Sequence, residues 1–138
     1  MRIGILGGTG PAGSALAARL ASIGYPAVIG SRSADRAVEI AREFVVKFPE
    51  LDGLLTGGDN AAASACDLVV IATPWDSAAT TVQDNADALA GKVIISMANA
   101  LVRVAGEFQP LLPPLGSVAV HIQAAVPRSR VVAAFHHL

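Results

Sequence analysis

Short runs of aliphatic residues alternate with longer, alanine-rich segments along most of the chain. The aliphatic runs have the length of β-strands and are almost continuously apolar, which is typical of strands that are buried on both faces of a sheet. Six strands are predicted on this basis, at residues 3–6, 27–30, 54–56, 68–72, 93–96 and 131–135. The sheet is therefore expected to carry covering layers on both sides.

The segments between these runs carry helix signals. The first predicted helix covers residues 11–23 and has Arg19 as its only charge, so it belongs against the sheet rather than in water. Ser33 can cap a second helix, whose apolar positions keep the 3.6-residue period until Pro49. Further helices are predicted at 60–65, at 76–89 and after Ser117, with a connection rich in proline and glycine at 97–116.

This β-α alternation predicts an α/β fold. We expect a doubly wound, mainly parallel Rossmann sheet with strand order 3-2-1-4-5-6 and helices on both faces. The 138 residues fit a single domain over 1–138. In such a sheet a ligand binds at the carboxyl ends of the first and fourth strands, where the strand order reverses. Candidate functional residues are therefore sought at those two strand ends.

Composition and charge exclude several classes of protein. Hydrophobic residues make up 53% and charged residues 15%, which excludes a disordered chain. The net charge is −1 with neither sign clustered, so no nucleic-acid partner is expected. The apolar surplus is large for a chain of this length, and we expect a partner subunit, in a homodimer, to cover part of the surface.

Cysteine usage and hydropathy bear on the setting of the protein. The single cysteine, Cys66, cannot form an intrachain disulfide, and no Cys/His spacing typical of a metal site occurs, which favours a reducing, cytoplasmic location. The uncharged run at 3–18 is broken by glycines and by Pro11, so it is not interpreted as a signal peptide. No apolar run approaches the ~20 residues that a membrane crossing needs.

A glycine-rich motif follows the first predicted strand and opens the first predicted helix. It has the pattern G-x-G-x-x-G and consists of Gly8, Thr9, Gly10, Pro11, Ala12 and Gly13. In this position the glycines permit a tight turn, close approach to a pyrophosphate and close packing of the helix on the strand, while the helix N-terminus favours an anion. The motif predicts dinucleotide binding, and the alternative is a purely structural tight turn.

The residues after the second strand bear on which dinucleotide binds. A site for NAD usually has a carboxylate here, whereas this chain has Ser31 and Arg32, with Arg36 near the start of the next helix. A hydroxyl and two guanidinium groups are suited to the 2′-phosphate of NADP. The alternative is that both arginines are solvated, with Arg36 paired to Glu39 or Glu43, and Asp35 adds an opposing charge nearby.

Three further groups of residues end strands near the expected site. Thr73, Pro74 and Trp75 follow the fourth strand, and the indole either contacts the nicotinamide or an aromatic second substrate or is a structural cap or subunit contact. Ala98 and Asn99 follow the fifth strand, where Asn99 either orients a ligand or forms a turn. His136 and His137 end the last strand and are either acid/base groups or solvated, while His121 is interpreted as structural.

Motifs for nucleophilic or hydrolytic catalysis are missing from the sequence. There is no G-x-S-x-G, H-E-x-x-H or Walker A motif, which excludes the common hydrolase and kinase classes. The only tyrosine, Tyr25, has Ile29 four residues later in place of the lysine that a short-chain dehydrogenase needs. We therefore assign no catalytic side chain and no metal ligand from sequence.

Taken together, several segments resemble the NADPH-dependent reductases of the deazaflavin coenzyme F420. The resemblance spans essentially the whole chain, and the glycine-rich part is common to many dinucleotide enzymes, whereas the combination with the later segments is more specific. The segments are Ile5-Leu6-Gly7-Gly8-Thr9-Gly10-Pro11, Ile29-Gly30-Ser31-Arg32, Ala72-Thr73-Pro74-Trp75, Ser96-Met97-Ala98-Asn99 and Val132-Ala133-Ala134-Phe135-His136.

The resemblance implies an oxidoreductase that exchanges a hydride between NADP(H) and the deazaflavin as co-substrate. It places residues 9–12 at the pyrophosphate, Ser31, Arg32 and Arg36 at the 2′-phosphate, and Pro74 and Ala98 at the nicotinamide half. It places Trp75, Asn99 and His136 against the second ring.

Two departures from the family pattern qualify this expectation. Ala100 stands where the family has proline, and family members continue past residue 138 with a segment that helps to build the deazaflavin pocket and the dimer. The chain is thus expected to be the NADP-binding portion of such a reductase. The alternative is a non-catalytic NADP-binding or redox-sensing module.

Overall fold

The computed structural model describes residues 1–136 as one α/β layer structure. Its strands are β1 (Ile3–Leu6), β2 (Ala27–Ser31), β3 (Leu55–Asp59), β4 (Leu68–Ile71), β5 (Val93–Ser96), β6 (Leu101–Val104), β7 (Glu107–Pro110) and β8 (Arg130–Ala133). Its helices are α1 (Pro11–Ser22), α2 (Ala34–Lys47), α3 (Asn60–Ser64), α4 (Trp75–Gln83), α5 (Ala86–Leu89) and α6 (Val118–Ala125), with a 3₁₀ turn at Pro49–Leu51.

Six of the strands form one sheet in the order β3-β2-β1-β4-β5-β8. Every neighbouring pair in this sheet is parallel. The predicted doubly wound order 3-2-1-4-5-6 is confirmed, and β8 is the sixth strand of the sheet because β6 and β7 form a separate antiparallel hairpin. The order reverses between β1 and β4, so the chain continues from their paired carboxyl ends to helices on opposite faces of the sheet, α1 and α4, and a crevice is expected between the two connections.

The core lies on both faces of the central strands. Ile3 and Ile5 of β1 pack in one buried cluster with residues of α1 and α2. Leu6, the next residue of the same strand, belongs to a second cluster with residues of α4 and α6. This alternation follows from the two-residue period of a strand, and it explains why the strand sequences are continuously apolar.

Glycines on the sheet let two helices approach it unusually closely. A Cβ atom on Gly4 of β1 would overlap the backbone carbonyl of Ala63 in α3, and one on Gly57 of β3 would overlap the backbone of Ala37 in α2. Only glycine fits where a helix backbone touches a strand in this way. The short helix α3 therefore packs directly against β1. The first residue of α3, Asn60, lies at the end of that strand.

Several predicted elements differ in their bounds from the observed ones. β3 extends to Asp59 rather than residue 56, and β8 ends at Ala133 rather than residue 135, because Phe135 has a φ of 65° that an extended strand does not allow. The helix predicted at 76–89 is divided into α4 and α5, since Asn85 leaves helical geometry at ψ 16° and its side chain donates to the carbonyl of Thr81.

The connection predicted at 97–116 contains a β-hairpin that the sequence analysis missed. β6 and β7 are joined by Ala105 and Gly106, both at positive φ, as a two-residue hairpin turn requires. The helix predicted after Ser117 is confirmed as α6, and the Ser117 hydroxyl accepts a hydrogen bond from the N–H of Val120 at 3.2 Å. Within residues 1–136, no helix has the length and apolarity to cross a membrane.

Candidate functional site

A cleft of about 620 Å³ lies at the carboxyl ends of β1, β2 and β4. It includes most of the cofactor-binding residues predicted from sequence, namely Thr9, Gly10, Pro11, Ala12, Gly13, Ser31, Arg32, Arg36, Thr73 and Pro74. It also includes residues that the sequence analysis did not select, namely Gly7, Ser33, Asn60, Ala72, Ser77, Thr80, Thr81 and Asp84. The crevice at the topological switch point is therefore a real concavity with polar walls.

The glycine-rich turn is held against the sheet by backbone hydrogen bonds. The N–H of Gly8 donates to the carbonyls of Gly30 at 2.8 Å and of Ile5 at 3.2 Å, and it ties the turn to β2. Gly7 has a φ of +68°, and its N–H donates to Oδ1 of Asn60 at 3.2 Å. Gly8 itself does not line the cleft, whereas the residues that follow it, at positions 9–13, do.

Helix α1 presents its N-terminus to the cleft without a side-chain cap. Gly10 is the N-cap residue and no side chain bonds to the first-turn amides. The nearby hydroxyl of Ser14 instead donates to the Gly10 carbonyl at 2.9 Å. A Cβ atom on Gly10 would meet nothing within 4 Å, so the space over the turn is open. Uncapped N–H groups at the positive end of a helix fit an anionic ligand such as a phosphate.

Ser31 and the two predicted arginines form one end of the cleft. Ser31 is buried at the end of β2, and its hydroxyl accepts a hydrogen bond from the N–H of Ser33 at 3.1 Å. Arg32 and Arg36 are exposed beside it. The only ion pair recorded within residues 1–136 joins Arg128 to Asp87, so the suggested pairing of Arg36 with a glutamate of α2 does not occur there. Both guanidinium groups remain available to an anionic ligand.

The opposite wall combines the end of β4 with the polar side of α4. Thr73 follows β4, and its buried Oγ1 has no hydrogen-bond partner within residues 1–136. An unpartnered buried hydroxyl is costly, and a hydroxyl that lines a cleft is suited to a bound ligand. Thr80 and Asp84 lie one helical turn apart and face the same space. The uncharged turn and the two arginines therefore face a polar wall.

Besides Gly8, four of the predicted site residues do not line the cleft, namely Trp75, Ala98, Asn99 and His136. Trp75, at the start of α4, is half-buried and packs against the cluster shared by α4 and α6. Ala98 is buried in that same cluster. Nδ2 of Asn99 donates to the backbone carbonyl of His136 at 2.9 Å, which joins the chain segments after β5 and β8. His137 lies outside the described residues.

The residues missed from sequence had recognisable but weak signals. Asn60 follows β3 directly, at the same edge of the sheet as the glycine-rich turn, but it was interpreted only as the start of a helix. The polar residues of α4 recur at the i, i+3, i+4 and i+7 positions of one helix face, namely Ser77, Thr80, Thr81 and Asp84. His121 is structural, as predicted, because its Nε2 accepts a hydrogen bond from the N–H of Leu115 at 3.0 Å.

Comparison with protein families places the sequence features in context. A family model described as "NADP oxidoreductase coenzyme F420-dependent" matches residues 2–100. This span includes the glycine-rich turn, the arginines after β2 and the cleft-lining part of α4.

Two curated relatives and one solved structure share this similarity. The F420-dependent NADP reductase of Methanocaldococcus jannaschii is 34% identical over 143 residues, covering 100% of the chain and 64% of the relative. The F420-dependent NADP reductase of Methanothermobacter marburgensis is 39% identical over 97 residues, covering 69% of the chain and 43% of the relative. A crystal structure from an Arthrobacter species, provisionally named an F420 dependent NADP-reductase, superposes with a TM-score of 0.82 at 29% identity, covering 100% of the chain and 63% of that structure.

In each of these comparisons the chain spans less than two thirds of the relative's length. Two of the comparisons cover the whole chain and one covers 69% of it, and each relative contains additional residues.

Proposed function

Since the chain belongs to the family of coenzyme F420-dependent NADP oxidoreductases, we propose that it binds NADP(H) in the cleft and serves hydride transfer to the deazaflavin coenzyme F420. The observation that carries this proposal is the pairing, in one cleft, of an uncapped helix N-terminus with Arg32 and Arg36. One feature suits a pyrophosphate and the other a 2′-phosphate, and NADP(H) carries both groups.

In this proposal the glycine-rich turn and the β2 end bind the two phosphate groups separately. The backbone of residues 9–12 contacts the pyrophosphate, and Thr9 and Ala12 supply the amides, since Pro11 has no N–H. Ser31, Arg32 and Arg36 bind the 2′-phosphate. No carboxylate stands at the end of β2 to hold a free ribose hydroxyl, so NADP(H) is preferred over NAD(H).

Residues that follow β4 and β5 orient the nicotinamide. Thr73 and Pro74 follow β4 and Ala98 follows β5, so they lie where the strand ends can hold the ring against the sheet edge. Trp75, Asn99 and His136 are proposed to face the second ring. When bound, reduced NADP would supply a hydride from its nicotinamide and become NADP+, while the deazaflavin takes up that hydride together with one proton from solvent. The protein contributes placement, which can lower such a barrier by roughly 7 to 11 kcal/mol at best, without an acid/base dyad.

A second candidate function is NADP binding without turnover. The specific observation that favours it is that Trp75 packs into the core beside α6 and Asn99 is engaged by the backbone of His136, so neither lines the cleft. In that case the chain binds NADP(H) as a module, and the second ring has no complete pocket in residues 1–136.

The test is a titration of the purified chain with NADPH and with NADH by calorimetry, followed by an absorbance assay with oxidised deazaflavin. We expect NADPH to bind more tightly than NADH. Binding with turnover supports the reductase, and binding without turnover supports the module. Failure of both nucleotides to bind would refute the proposed function.

Arg32→Ala sharpens this test. Loss of a charge-assisted contact with the 2′-phosphate should cost about 1.5 to 3 kcal/mol, or roughly 10- to 150-fold in NADPH affinity, with little change for NADH. Arg42→Ala is the matched control, since Arg42 is an exposed arginine of the following helix, α2, and lies outside the cleft lining. Equal losses in the two variants would indicate a general charge effect rather than a 2′-phosphate site.

Assembly and location complete the proposal. We propose a homodimer, because apolar side chains are exposed on β6, β7 and β8, among them Val104, Phe108 and Val132. We also propose a reducing, cytoplasmic setting, in which Cys66 stays a free thiol. Burial raises the pKa of that thiol, which disfavours the thiolate form. Sedimentation of the purified chain at micromolar concentration tests the dimer, which a monodisperse monomer would refute.

A further inference from the structure

We propose that Asn60 is a positioning residue for the dinucleotide turn and also donates a hydrogen bond to the adenosine half of the bound nucleotide. The inference rests on the proposed function for its second part only. It concerns a residue outside the glycine-rich motif, from a different strand-helix unit.

The first observation is the contact between Asn60 and the start of the turn. Oδ1 of Asn60 accepts the N–H of Gly7 at 3.2 Å, over a sequence separation of 53 residues. Gly7 has a φ of +68°, and a Cβ atom at that position would overlap the side chain of Thr73. The turn therefore depends on a backbone conformation that needs glycine, and the amide oxygen of Asn60 accepts the N–H of the residue in that conformation.

The second observation is the place of Asn60 in the sheet. Its Oδ1 lies 3.1 Å from where a Cβ atom of Gly30 would be, so the side chain spans the ends of β1 and β2. The absence of side chains at Gly4 and Gly30 lets α3 lie close enough to the sheet to bring Asn60 there. Asn60 thus connects the turn to the strand end that carries Ser31 and Arg32.

The third observation is the unused half of the amide. Because Gly7 offers a donor, the oxygen of the Asn60 amide must face it, and Nδ2 must point the other way. Asn60 lines the cleft, and its Nδ2 makes no hydrogen bond to any of residues 1–136. An amide N–H in this position can donate to a ribose or phosphate oxygen of the nucleotide. The same side chain therefore orders the turn and contacts the ligand.

Asn60→Asp separates the two roles. The carboxylate keeps an acceptor for the Gly7 N–H but replaces the donor with a negative charge that faces the phosphates. We expect thermal stability close to that of the unmodified chain, with NADPH affinity lowered at least tenfold at low salt. The loss should shrink at about 1 M salt, where the Debye length falls to roughly 3 Å. Asn85→Asp, the same change outside the cleft lining, is the control and should leave NADPH affinity unchanged.

Asn60→Ala tests the positioning role directly. It removes the acceptor, so hydrogen exchange of the Gly7 amide should become faster in the free protein, whereas Asn60→Asp should keep it slow. This readout needs no nucleotide. Fast exchange in both variants, or in neither, would overturn the positioning role. NADPH binding by Asn60→Asp as tight as in the unmodified chain would overturn the donor role, and failure of the unmodified chain to bind NADPH would instead overturn the proposed function.

Discussion

The central strand β1 and the edge strand β8 are alike in length and differ in almost everything else. All four residues of β1 are buried, and Ile5 is 0% exposed. In β8 most residues are exposed, and Val132 keeps 47% of its surface in water. Both strands carry aliphatic side chains in a parallel sheet. The difference lies in what covers them, since β1 has a strand on each side and packed helices on both faces.

The same contrast separates the two ends of the molecule. Residues up to about 100 form the cleft and the glycine-rich turn. They also include the strands that contribute most to the two buried clusters. Beyond residue 100, β6 and β7 pair only with each other, and Phe108 is 69% exposed. The nucleotide cleft is thus built on a core that does not depend on the exposed hairpin. Ligand binding and subunit contact are therefore expected to be separable by mutation.

The largest effect is expected on stability. Ile5→Ala leaves a cavity in a fully buried position and should lower the free energy of unfolding by about 2 to 5 kcal/mol. Phe108→Ser, in the hairpin, should change it by less than about 0.5 kcal/mol when the chain is dilute enough to be monomeric, because Phe108 is 69% exposed in the single chain. Urea denaturation of both variants measures this. A loss at Phe108 as large as that at Ile5 would mean that the hairpin is part of the core.

A smaller effect is expected on assembly. Val132→Lys places a charge on the exposed edge strand β8 and should weaken the proposed homodimer at least tenfold, which is about 1.4 kcal/mol. Sedimentation velocity measures the dimer, and calorimetry of the same sample should show unchanged NADPH affinity. If instead NADPH affinity falls and the dimer persists, the cleft and the exposed strand are coupled. Ligand binding and subunit contact would then not be separable by mutation.

The smallest effect is expected at two of the three buried hydroxyls that have no hydrogen-bond partner within residues 1–136, those of Thr73 and Ser96. Thr73→Val removes the desolvation cost of an unpaired group and should raise stability by up to about 1 kcal/mol, while NADPH affinity falls by a similar amount. Ser96→Ala should raise stability without affecting binding, since Ser96 does not line the cleft. Thermal unfolding and calorimetry give both quantities. Unchanged NADPH affinity in Thr73→Val would exclude this hydroxyl from the site.

Sequence reasoning located the cleft because strong local signals coincide there. The spacing of Gly8, Gly10 and Gly13 is typical of a dinucleotide-binding turn between a strand and a helix. The apolar strands before and after this unit indicate the parallel sheet. The topology followed from the β-α alternation, and the order of all six sheet strands was correct. Features that follow from local sequence patterns were thus predictable.

Contacts between distant segments were not predictable. The bond from Gly7 to Asn60 depends on α3 lying against β1, which in turn depends on Gly4 having no side chain. The hairpin was overlooked because its turn uses Ala105 at a φ of 50°, where glycine or asparagine is usual. The packing of Trp75 toward α6 follows from tertiary structure alone. No pattern of residue types along the chain encodes these three features.

Nucleotide binding in the cleft is tested most directly by amide hydrogen exchange of the chain with and without saturating NADPH. We expect slower exchange in residues 7–13 and 31–36, which form the turn and the arginine end of the cleft, and no change in the hairpin at 101–110. Protection confined to residues 101–136, with the turn unaffected, would show that the nucleotide does not bind in the cleft.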